Sequence, residues 1–286
     1  MMATDLNSQI LTNFLNGYTA EVTSGDKKSM AAAEKMMDKG AEVFVASLPK
    51  DTIDKQVAAV VKIHQAGLKP VPHIVARNIK NLAALETTLN RFVIEAEIDT
   101  ALILGGDRDD AVGDFDASLQ LIETGLLQKV GIKKIYLGCY PEGHPRISTE
   151  ILDKSRAAKL IAAEKAGLEV ELVSQFCFES QPIIEFARKL RAEGVKVPFR
   201  VGVAGPSSRA TLVKYAIICG VGASLRALKE RQDLAKNMTS GETPEKLITE
   251  LAEALEQQPE LGLNGVHFFT FGSLEKSATF VNQVVN

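Results

Sequence analysis

The chain has 286 residues, of which 45% are hydrophobic and 24% charged, with a formal net charge of −3. That length buries a sizeable core. The near-balanced charge leaves no basic excess to attract nucleic acid and no acidic tail to act as a solvating appendage.

Strand-like and helix-like segments alternate along the chain. Tyr18 to Thr23 reads as a strand and precedes a helix near Lys28 to Lys39. Glu42 to Ser47 precedes Asp51 to Gln65, with Asp51 or Thr52 placed to cap that helix. Pro70 to Val75 precedes Leu82 to Glu97, Thr100 to Leu104 precedes Phe115 to Leu127, and Lys134 to Leu137 precedes Thr149 to Ala166. Glu169 to Phe176 precedes Pro182 to Glu193, and Phe199 to Ala204 precedes Ser208 to Cys219. Further helical material follows over Val221 to Gln258, then the strand Val266 to Phe271 and the helix Leu274 to Val285. Gly40, Gly67, Gly131, Gly167, Gly194 and Gly265 each sit just before a strand, as helix C-caps do. About eight unbroken strand–helix units, with no GxGxxG turn after the first strand, predict a (β/α)8 TIM barrel rather than an open sheet. No Pro- or Ser-rich linker divides residues 1–286, so a single domain is expected, with extra helices between strands 7 and 8.

Cys139, Cys177 and Cys219 form no CxxC pair, and Cys139 and Cys177 lie in apolar runs, which suits reduced thiols in a cytoplasmic protein. No basic, then apolar, stretch opens the chain, and no run reaches the roughly 18 apolar residues of a membrane helix. Neither nucleic acid nor membrane is expected as a partner, and a small homo-oligomer is.

Parallel strands are buried, so the polar residues that follow their carboxyl ends mark where a barrel keeps its chemistry. That mouth receives Glu21, Ser47, His73, Asp107, Tyr140 with Glu142 and His144, Gln175, the Ala204-Gly-Pro turn and Thr270. A carboxylate in mid-strand, as Glu21 is, suits a catalytic acid facing the lumen; an edge-strand or bottom-layer carboxylate is the plainer alternative. His73 by itself reads as a satisfied strand-end histidine. Gly105-Gly106-Asp107 allows a backbone to approach a flat ligand with an acceptor beside it, or is simply a loop. Tyr140-Pro-Glu-Gly-His-Pro145 is a stiffened loop carrying three functional side chains, in which His144 is a ligand or a loop staple. No metal-ligand spacing or nucleophile elbow is evident, which points to an organic cofactor.

At these residues the chain resembles the methylenetetrahydrofolate reductase family. The matches are Tyr140 to Pro145, Gly106-Asp107, Ser174 to Phe178 and Val266 to Thr270, spread over nearly the whole chain. The resemblance implies a barrel oxidoreductase acting on CH–NH donors in one-carbon metabolism. It would interconvert methylenetetrahydrofolate and methyltetrahydrofolate with NAD(P)H, the hydride passing through bound FAD or directly. It also implies Glu21 as the acid that opens the folate ring, Asp107 as the carboxylate holding the pterin, and Gln175 as a folate contact. His73, Gly105, Gly106, Tyr140 and His144 fall at cofactor positions. The chain has Gly105 where the family carries arginine, and Ala163 where it carries a lysine near the FAD diphosphate. A non-catalytic folate-binding protein on the same barrel is the alternative expectation.

Overall fold

The computed structural model describes residues 2–219, 221 and 243–285. Its eight strands are β1 (Thr19–Thr23), β2 (Glu42–Ala46), β3 (Lys69–Val75), β4 (Thr100–Leu104), β5 (Lys134–Cys139), β6 (Glu169–Ser174), β7 (Phe199–Ala204) and β8 (Leu263–Phe269). They hydrogen-bond in chain order and close into a barrel, with helices between them, so the fold is the expected (β/α)8 barrel. No helix among the described residues is long and apolar enough to cross a membrane.

Local sequence explains most element boundaries. Asp26 caps Lys27–Met36 through Ser29 N, Thr52 caps Ile53–Gln65 through Lys55 N, and Asn81 caps Leu82–Ala96 through Ala84 N. The helix expected over Phe115 to Leu127 is instead two short ones, Ser118–Glu123 and Leu126–Val130, because Gly125 between them is left-handed (φ 70°). A helix not anticipated, Met2–Leu15, precedes β1 and buries Leu11, Phe14 and Leu15. It packs on Glu245–Gln257 and Leu274–Val285. Of the extra material expected over Val221 to Gln258, the helix Glu245–Gln257 is present, while residues 222–242 lie outside the described residues. Gly265 is not a C-cap. It lies inside β8, where pairing with β7 slips between Phe199 and Val201, and Gly262 closes the preceding turn.

By contacts the chain falls into two compact units. One comprises residues 21–138 and 150–172. Its pairing sets His73 beside Leu102, and Leu102 beside Tyr136, so all three share the inner face. Phe44 joins them, with ring centroids 4.8 Å from Tyr136 and 6.2 Å from His73. Toward the amino ends of these strands, Lys134 donates to Glu171 at 2.7 Å and to the Tyr136 hydroxyl at 2.8 Å, and Tyr136 donates to Glu42.

The other unit comprises residues 1–20, 139–149 and 173–286. Here Thr19 Oγ1 and His267 Nδ1 meet at 2.8 Å, both buried, on the paired strands β1 and β8. Phe176 is the hub of an aromatic cluster with Phe178, Phe269 and Phe271, and Tyr215 stacks on Phe271.

Candidate functional site

β1 alternates. Ala20 and Val22 are fully buried on one face, while Glu21 shares the other face with Thr19 and Thr23. Glu21 therefore points inward, where its Oε2 lies 3.5 Å from His73 Nε2. Its side chain is 22% exposed and that of His73 8%. Gln56, on the buried face of its helix, donates to the His73 carbonyl at 2.8 Å and fixes that strand end.

The electrostatics follow from burial. Glu21 is raised from 4.5 to about 7, and His73 is lowered from 6.5 to about 3, in both cases by desolvation. An ion pair would move both groups the other way. Between about pH 3 and pH 7 the pair is thus a carboxylic acid facing a neutral imidazole. A carboxyl that releases its proton near neutral pH is matched to general acid–base work.

The loops beyond β1 to β4 are tied above this pair. Asp51 accepts from Ser24 at 2.7 Å, from Leu48 N at 3.1 Å and from Lys55 at 2.7 Å. Burial alone would raise the Asp51 carboxyl, but these bonds outweigh it and hold it below the usual range. Arg108 donates to Asn78 Oδ1 at 2.8 Å and to the Pro49 carbonyl at 2.6 Å. Arg77 donates to the carbonyls of Arg108 and Asp116. In Gly105-Gly106-Asp107 the glycines differ. Gly106 has φ 105°, and a Cβ there would stand 2.5 Å from Val75 Cγ1, whereas one at Gly105 meets nothing within 4 Å. Asp107 is exposed on this loop.

Tyr140, His144 and Gln175 lie in the other unit. The Tyr140 and His144 rings meet edge to face at 5.1 Å, and His144 Nδ1 accepts from Arg146 N at 3.2 Å, so His144 staples its loop. Gln175 N donates to the Cys139 carbonyl, and Gln175 Oε1 accepts from Phe176 N. Glu142 and Ser47 are half-buried, and Thr270 is buried. A cavity of about 290 Å³ opens in this unit among Phe178, Ser180, Leu212, Leu247 and Glu250. Cys177 also lines it. Burial pushes that thiol well up, with Glu142 and Cys139 adding to the effect, so it is a poor nucleophile.

Sequence reasoning missed Phe44, Gln56, Arg77, Arg108 and His267. Gln56 carried a legible signal, a polar residue among Val57, Val60 and Ile63 on a helix face otherwise apolar.

The fold and the Glu21–His73 pair define a (β/α)8 barrel with a titrating acid on its inner face. No family model matches the chain. It is similar to a solved structure of 2,3-dimethylmalate lyase, a PEP mutase/isocitrate lyase superfamily member. That match has 15% identity and a TM-score of 0.47, covering 91% of this chain and 97% of that one. These findings correct the reading drawn from the resemblance. Membership of the methylenetetrahydrofolate reductase family is not upheld, and neither is the oxidoreductase activity or the folate-binding alternative: no family model matches the chain, and the solved structure it is similar to is named as a lyase. The physical reason is that polar clusters after buried strands belong to barrels in general, so short strand-end runs report the fold more than the chemistry. FAD and NAD(P)H entered only through that resemblance. At this identity and TM-score the lyase carries no activity over to the chain either.

Proposed function

We propose that this protein is an enzyme whose chemistry is proton transfer by Glu21 to or from a small organic molecule held inside the barrel. The observation that supports it is the Glu21–His73 pair, 3.5 Å apart and pushed by burial toward two neutral groups. A carboxyl whose ionised form burial disfavours is costly to keep in mid-strand. A group that changes protonation near neutral pH is what a general acid requires. Asp107, in the same unit as Glu21, is a proposed substrate contact of lower rank because it is exposed. The three free cysteines suit a reducing, cytoplasmic setting.

The deciding experiment is a carbon NMR titration of the Glu21 carboxyl, assigned by comparison with Glu21→Gln. A midpoint near 7 supports the reading, and a midpoint near 4.5 removes Glu21 as the acid.

A further inference from the structure

His73 Nε2 is fully buried, and no protein group among the described residues meets it with hydrogen-bonding geometry. A buried polar atom left this way is costly, because it has given up water without replacing the bond. The ring has little freedom to turn elsewhere. Its side chain is 8% exposed, the Phe44 ring meets it edge to face, and Gln56 holds its carbonyl. Glu21 Oε2 stands 3.5 Å away, too far for a good direct bond but close enough that one further oxygen, about 2.8–3.0 Å from each, would bond both.

We infer that Glu21 and His73 together seat an uncharged oxygen function of the substrate, a hydroxyl or a carbonyl. This rests on the reading of Glu21 as the proton donor and adds what the donor faces. The carboxylic acid can donate to that oxygen in either case. The imidazole tautomer selects between the two sources. With its proton on Nδ1, Nε2 accepts, and the oxygen must itself carry a hydrogen, as a hydroxyl does. With its proton on Nε2, both groups donate to one oxygen, which suits a carbonyl and the negative charge it gains on reaction. Charged groups fit poorly. Burial disfavours charge at both positions, so an incoming charged group would give up its water in a place that favours neutral partners.

The test is NMR on the full chain carrying nitrogen-labelled histidine and carboxyl-labelled glutamate, titrated with ethylene glycol, acetone, acetate and methylammonium. The expected result is a saturable shift of both the His73 Nε2 and the Glu21 carboxyl signals with ethylene glycol or acetone. The histidine nitrogen shifts identify the tautomer and so the source. The Glu21 response should be lost in His73→Phe, which keeps a flat ring without the nitrogen. Signals unmoved by the neutral probes, moved equally by the charged ones, or a Glu21 response that persists in His73→Phe would each overturn the inference. The titration midpoint of Glu21 without any probe separates the two claims, because a normal midpoint defeats the acid assignment whatever the probes do.

Discussion

Replacing Glu21 with glutamine should stabilise the protein, and by an amount that depends on pH. Raising a carboxyl from 4.5 to about 7 on folding means that the unfolded chain ionises first. Below pH 4.5 the group is neutral in both states and costs nothing. As pH rises through 4.5 the unfolded state gains charge that the folded state does not, and stability falls until the folded group also ionises near 7. At about 1.4 kcal/mol per tenfold, the full difference is about 3 kcal/mol. Glutamine is neutral throughout and close in shape, so the variant should match the wild type at low pH and exceed it by about 3 kcal/mol above pH 7. His73 acts in the opposite window. Its lowered value removes stability as pH falls from 6.5 toward 3, equally in both proteins, so the difference curve isolates Glu21. The assay is urea unfolding across this pH range. Parallel stability curves for the two proteins would refute the claim that the carboxyl is held neutral by burial.

Gly105→Ala should be tolerated, whereas Gly106→Ala should lower the thermal midpoint, since only the second combines φ 105° with a 2.5 Å contact to Val75. Gly113→Ala should be worse than either, because its Cβ would lie 1.8 Å from the Lys80 carbonyl oxygen; expression with a collapsed melting transition is the expected readout. Lys134→Met removes the cation between Glu171, 3% exposed, and Glu42, and should cost about 3–5 kcal/mol in urea unfolding. A thiol reagent should modify half-buried Cys219 in the native protein well before Cys139 and Cys177; rapid native labelling of Cys177 would contradict the raised thiol.

The barrel was legible because buried parallel strands leave continuous apolar runs, and both Thr100–Leu104 and Phe199–Ala204 fall where periodicity places them. The helix Met2–Leu15 was equally legible in the spacing of Ile10, Leu11, Phe14 and Leu15, but it lies ahead of the strand–helix alternation that marks the barrel. At the site, Glu21 declared itself as a charge inside a strand. Its companion did not. His73 looks like any strand-end histidine until pairing of β3 with β4 places it on the inner face. Arg77 and Arg108 were invisible because three of their four partners are backbone carbonyls, which no residue pattern encodes. The family resemblance failed for a related reason, since its residues mark strand ends, which every barrel has.

Arg108 bonds loops that follow β2 and β3, and Arg77 binds the loop after β4 at two carbonyls. In barrels these loops are the parts that diverge most freely, each being rebuilt without disturbing its neighbours. Here that independence is lost. An insertion in residues 105–117 would displace anchors on two other loops at once, so new specificity on this side must come from single side chains. Gly105, which faces open space, is the position where such a change meets least resistance.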